Sequence, residues 1–580
     1  HPAPPQTSVI TSCADHDLPQ GVITLPAQQN HFHDSARAQQ LQEDACRLKD
    51  AGHFSQADEN LQEAIAILFS AKQFAEASTI IRDQLSASWI STAQRSHWHR
   101  YMGTVLHFMG DDETAVQHYH QALSLARYTG DKTSMMNAYQ ALGCVNQKQD
   151  KEDAKTSFEY SLAIARQLDD QAMIATNCYQ LGLLFQEHGD YSTAKKFYVD
   201  SLSASKTIDD QKRVGTTYHQ LGIIYHAQGD YRTAQRLYDQ SLVISNRFDD
   251  ASGIAAALGQ LGSIAQEQGD YTRARKLYGA SLDISKKLGN QAHTAALNQN
   301  LGNLAFLQGD YESARSLYEE SLAIKEKIGD RSDLASTYHQ LGTLAYDSGD
   351  YTTARCHYER ALAISQSTGD PTNTASAFHE LAMLAQDQGN YEEAQARYEQ
   401  ALSIFEELGD QTGMATSSLQ LGIVAKDAGD DQLARSRYEQ ALAIYEGLAD
   451  HIGTALACHH LAVLAQLRGE TPQAISALLD KALDHAALVS TATKAGQVMS
   501  SVADRSAEIG CIPLLARSHA WLLGRTGSGE EMRRAIDTSL PMLQRLRTDG
   551  YTNEVEAAIS SVMSLLSPAE AERFEDLLSQ

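Results

Sequence analysis

The chain has 580 residues, 42 % of them hydrophobic, and a formal net charge of −26 from 47 basic and 73 acidic side chains. So acidic a surface repels a phosphate backbone, which excludes nucleic acid as an expected partner and favours a basic one. No apolar run approaches the roughly 20 residues that a membrane span needs, and the seven Cys are odd in number, scattered and without a C-x-x-C pair, which argues for free thiols in a reducing, cytoplasmic setting.

In chain order, residues 1–37 carry five Pro and no helical periodicity. They read as a linker or as the tail of an upstream domain, with Val9–Thr11 and Gly21–Leu25 as edge-strand candidates. The start at His1 rather than Met fits a fragment or a processed form. Residues 38–95 read as two degenerate leading repeats, with Ala57 and Ala77 at the repeat-marking position.

From residue 96 to 490 the sequence repeats. LGIIYHAQGDYRTAQRLYDQSLVIS begins at Leu221, LGNLAFLQGDYESARSLYEESLAIK at Leu301 and LGTLAYDSGDYTTARCHYERALAIS at Leu341. The period is 40 residues without a gap from Leu181 to Leu461, and earlier copies start at Met102 and Leu142. Residues 491–580 lose the period but keep helical patterning, with a loop at Gly524–Gly529 and a helix start at Ser567-Pro568. They are expected to cap the array.

Each unit decodes as two helices. Val214, Tyr218, Leu221, Gly222 and Tyr225 share one helical face, and Ala234, Leu237, Tyr238, Ser241 and Leu242 share another. Between them, Gly229 is expected to end the first helix in the left-handed conformation and Asp230 to cap the second. Gly222 and its copies Gly182, Gly262, Gly302, Gly342 and Gly422 lie inside a helix, where Gly costs about 1 kcal/mol relative to Ala. A close approach of the two helices, Gly against the small Ala234-type position, is the expected compensation.

The series Tyr338, Leu341, Gly342, Ala345-Tyr346, Ala354, Tyr358, Ala361 resembles the tetratricopeptide repeat. That family's usual period is about 34 residues. The longer period here is similar to that of kinesin light chains and of sensor modules on bacterial signalling ATPases. The resemblance implies an all-α, right-handed α-solenoid of stacked antiparallel helix hairpins. It also implies a protein-interaction scaffold or sensor that binds a peptide or protein in a concave groove lined by the first helices. The alternative is the sensor portion of a larger signalling ATPase or effector enzyme whose catalytic domain lies upstream.

On that face the residues vary against a constant frame. Positions i, i+4 and i+7 are His219, Ile223 and His226 in one repeat, then Gly259, Ser263 and Gln266. Further along they are Gln299, Asn303 and Phe306, then His339, Thr343 and Tyr346, then His379, Met383 and Gln386. Glu187, Glu267, Asp347, Asp387 and Asp427 edge the groove with acid. Variation of this kind suits recognition of a partner, with the recurrent His as a polar groove residue; drift at solvent-facing positions is the alternative.

No constellation points to an enzyme, a cofactor or a metal. Gly524–Gly529 lacks the Gly-Lys-Ser/Thr ending of a phosphate loop. His379-Glu380 is followed by Met383 where a second zinc ligand would stand, and Cys13, His16, His31, His33 and Asp34 have no ligand spacing.

Overall fold

A computed structural model describes residues 31–147, 149–329, 331–487, 542–543, 546 and 552–563. Among these residues every regular element is an α-helix, and consecutive helices pack as hairpins. The chain divides into two compact units, His1–Leu304 and Ala305–Gln580. The loop at Gly524, the helix start at Ser567, the two strand candidates, Cys13 and His16 lie outside the described residues.

The repeat around Leu221 shows how the sequence makes its hairpin. Its helices are Gln211–Ala227 and Tyr231–Arg247. Gly229 takes φ +77°, and Asp230 accepts a hydrogen bond from the Thr233 amide at 3.0 Å. Both are the expected cap chemistry, since a left-handed residue closes the first helix and a carboxylate satisfies an orphan amide of the second. The outgoing turns repeat it, with Gly329, Gly369 and Gly409 at φ +73°, +68° and +68°.

Core clusters join the second helix of one repeat to the first helix of the next. Ala234 and Tyr238 pack with Leu261 and Ile264 in the first unit, and Ala345, Ala354 and Tyr358 pack with Leu381 and Leu384 in the second. Within a hairpin, the Ser281 hydroxyl donates to the Ala255 carbonyl at 2.7 Å. Each repeat therefore holds its neighbours, as a linear array requires.

The structure refines three expectations. The close approach at the helix Gly is to an aromatic ring first and to the small Ala second: a Cβ on Gly422 would lie 2.5 Å from Tyr438 and 3.2 Å from the Ala434 carbonyl oxygen. A Cβ on Gly182, Gly222 or Gly342 would lie 2.6, 2.6 or 2.5 Å from Cε1 of Tyr198, Tyr238 or Tyr358. The Gly makes room for a buried aromatic ring, and Gly143 does the same for Phe158 at 2.6 Å.

The leading segment also differs. Helix His31–Asp50 begins inside the expected linker 1–37, because the last Pro of that stretch is Pro26 and helix formers follow. It pairs with Phe54–Ser70, and Phe74–Ser86 follows as a single helix, so residues 38–95 are not two repeats. Ala87 turns extended and stops that helix. Finally, the first full repeat opens at Thr92 rather than 96: Ser91 and Gln94 form a reciprocal capping box there.

Candidate functional site

Residues at i, i+4 and i+7 of a helix share a face. In the first unit, His219, Ile223, His226, Ser263, Gln266, Gln299 and Asn303 are all half-buried, and Gly259 is buried. In the second unit, Phe306, His339, Thr343, Tyr346, His379, Met383 and Gln386 are likewise half-buried. Glu187, Glu267, Asp347, Asp387 and Asp427 are exposed beside them. Each unit thus carries a partly open strip with an acidic edge.

The floor of each strip is the core tyrosine that fills the helix glycine's space. Its hydroxyl reaches the strip and needs an acceptor, because a buried hydroxyl without a partner costs about 1–3 kcal/mol. Tyr278 donates to Gln266 at 3.2 Å, Tyr358 to Thr343 at 3.3 Å and Tyr398 to Gln386 at 3.2 Å. Ser263 also bonds the Tyr278 hydroxyl. Four of the variable polar residues therefore hold a core hydroxyl, whatever else they do.

The recurrent histidines have a similar duty. His219, His339 and His379 set their rings 5.4, 5.7 and 5.0 Å from Tyr238, Tyr358 and Tyr398. Burial, and then His293, push His219 down to about 4, so it is neutral at neutral pH. Burial likewise holds His379 below the ordinary histidine value, against the opposing field of Glu380. All three rings pack on a core tyrosine.

Contacts then run from repeat to repeat. In the first unit, His226 Nε2 lies 3.4 Å from Glu267 Oε1, and Tyr231 also hydrogen-bonds Glu267. In the second unit, the Tyr346 hydroxyl donates to the Asp387 carboxylate. His339 Nε2 stands 3.9 Å from Glu380 Oε1.

Glu380 was not among the residues singled out by sequence. From residue 180 to 420 its column otherwise holds amides, Gln180, Gln220, Gln260, Asn300, Gln340 and Gln420. In the first unit that column links repeats through amide pairs, as Gln186 to Gln220 at 3.4 Å. A carboxylate in a column of amides was the available signal. Its effect is visible on Asp347, whose carboxyl is raised above the usual range, by burial first and by Glu380 second. Asp387 and Glu380 act on the Tyr346 phenol, and Asp347 adjoins it in sequence, so the acidic edge of the second unit gathers three carboxylates around Tyr346. Among the described residues no group of three metal-ligating side chains converges.

The tetratricopeptide repeat profile matches in overlapping segments, 170–247, 213–287, 253–327, 292–367, 333–407, 373–447 and 413–486, over more than half of the chain. The chain belongs to the tetratricopeptide repeat family. Among solved structures it is similar to BtubC from P. vanneervenii, at 24 % identity, covering 38 % of this chain and 93 % of that one, with a TM-score of 0.34. It is similar to a STAND protein with a tetratricopeptide repeat sensor from Pyrococcus horikoshii, at 13 % identity, 78 % and 71 % coverage and a TM-score of 0.46. The apo form of the quorum sensor NprR from B. thuringiensis is similar at 15 % identity, 60 % and 99 % coverage and a TM-score of 0.47. Comparison with curated proteins gives no match. The family frame explains the constant residues here, and the strip residues are what vary upon it.

Proposed function

We propose that this tetratricopeptide array is a scaffold or sensor that binds a protein or peptide partner, and that it does so without catalysis of its own. The recognition element is the strip of the second unit, and the partner presents Lys or Arg to it. The observation that carries this reading is the acidic edge around Tyr346. Burial first and the Glu380 carboxylate second hold the Asp347 carboxyl above its usual range. A cation placed there relieves the repulsion from Glu380 and lowers the Asp347 pKa. Phe306, Tyr346 and Met383 supply half-buried apolar and aromatic surface on the same unit, and Tyr346 can lie against a guanidinium or ammonium. The first unit's strip, with Asn303 and Gln299, offers amides suited to a partner's backbone.

A cytoplasmic setting belongs to the same reading. Cys178 and Cys458 are buried free thiols, pushed by burial up to about 12 and about 11. No helix of the described residues is long and apolar enough to cross a membrane.

The test is affinity capture with the full chain, followed by hydrogen-exchange mapping of the captured complex. Protection concentrated in 339–347 and 379–387 is the expected result. A complex that protects neither segment overturns the reading.

A further inference from the structure

A second surface lies at the outgoing-turn end of the repeats. A crevice of about 370 Å³ opens between Gly409 and Gly447, with Gln411, Met414, Ala443 and Ile444 completing its walls. That volume is at the lower end of the roughly 300–1,000 Å³ of small-ligand pockets, enough for one aliphatic or aromatic side chain. The residue at this rim departs from the repeat pattern. The column of Gly447 holds Gln167, Thr207, Arg247, Lys287, Lys327, Ser367 and Glu407 in other repeats, and none of these is Gly. A Cβ at Gly447 would meet nothing within 4 Å. The missing side chain is the opening.

The surroundings are apolar and acidic together. Leu408 and Leu448 flank the crevice at 44 % and 39 % exposure. Glu406, Glu407, Asp410 and Glu446 lie within three residues of the lining, and all four are exposed. From residue 398 to 425, and again from 438 to 467, the chain contains no Lys or Arg. One cation comes from elsewhere, Lys481, which pairs with Glu446.

We infer that this crevice is a docking pocket for one apolar side chain of a partner segment that carries Lys or Arg on either side of it. The apolar side chain fills the space left by Gly447 and covers Leu408 and Leu448. The flanking cations face Glu406, Glu407 and Asp410. The lining sits at the end of helix Asp431–Gly447 and at the start of helix Gln411–Asp427. It therefore lies apart from the Phe306–Gln386 strip, and neither reading depends on the other.

The test uses the full chain with labelled Met methyls and three capped pentapeptides. These are Lys-Lys-Leu-Lys-Lys, the same peptide with Ala for Leu, and Glu-Glu-Leu-Glu-Glu. The Leu-Lys peptide is expected to shift the Met414 methyl resonance saturably and to bind about tenfold more tightly than its Ala counterpart. The Glu peptide is expected to leave Met414 unmoved. Gly447→Leu fills the crevice without changing charge, and should abolish the Met414 shift and the preference for Leu over Ala. Glu406→Gln with Glu407→Gln, two surface changes that leave the core intact, should weaken the Leu-Lys peptide about fivefold, a loss of about 1 kcal/mol. Equal Met414 shifts with the Leu and Ala peptides, or a Leu preference that survives Gly447→Leu, would overturn the proposal.

Discussion

The strips of the two units rest on the same frame yet differ in what stands opposite the acid. In the first unit Glu267 faces the imidazole of His226, and it also accepts from Tyr231. In the second unit Asp387 faces the neutral phenol of Tyr346, and Glu380 adds a further carboxylate beside Asp347. His226 and Tyr346 occupy the same i+7 position of their repeats. One column therefore decides whether an imidazole or a phenol meets the acidic edge. Repeat proteins diversify in this way, because the frame is held by other columns.

That comparison can be attacked first at the frame itself. Gly222→Leu in the first unit and Gly342→Leu in the second should each cost about 3 kcal/mol, the upper end for overpacking. The reason is the same in both: the new side chain drives into Tyr238 or Tyr358. Denaturant midpoints check it. An unchanged midpoint for either variant would show that the ring is not held tightly at that repeat.

The next effect comes from exchanging the column. Tyr346→His gives the second unit the first unit's residue, and should weaken binding of a basic partner by about 1 kcal/mol, the scale of one hydrogen bond. The reverse change, His226→Tyr, should leave that binding in place. Titration calorimetry with a captured partner reads both.

Acid should act on the two regions with opposite sign. His219 has a folded pKa of about 4, below its ordinary 6.5. Its contribution to stability is complete above about 6.5 and is lost as pH falls toward about 4. Asp347 has a raised folded pKa, so its contribution is present at low pH and is lost as pH rises through that value. Melting temperatures of His219→Gln should lose the first slope, and those of Asp347→Asn the second. The smallest effect is expected for Glu267→Gln, below about 0.5 kcal/mol on partner binding, since His226 and Tyr231 already engage that carboxylate.

Much of the fold was legible because its signals are local and recur. The 40-residue period, Gly229 before Asp230 and the alternating faces of the two helices are each properties of a few neighbouring residues. What escaped was pairing across helices. Periodicity placed Gly222 on a face with Tyr225, but which atoms of the second helix come nearest is set by how the two axes meet, and at Gly222 they belong to the ring of Tyr238.

The strip was legible as a set of positions and not as a set of roles. Thr343 and Gln386 looked like readers of a partner, and they also hold the hydroxyls of Tyr358 and Tyr398. His379 looked polar and packs on Tyr398. Glu380, which adds a carboxylate beside Asp347, differs from the amides of its column by one group. It stands one residue beyond the i position and so escaped a search confined to i, i+4 and i+7.

The central claim is that the second unit's carboxylates hold a basic partner, and its most direct measurement is the affinity of Asp347→Asn with Asp387→Asn for a captured partner. Both residues are exposed, so the variant should fold with the parent's melting temperature at low pH. The account expects a loss of at least about 2 kcal/mol, the scale of an anchoring contact. It also expects the parent's affinity to fall as pH drops through the raised Asp347 pKa, and this pH dependence to vanish in the variant. A variant that binds the partner as tightly as the parent, with the same pH dependence, would contradict it.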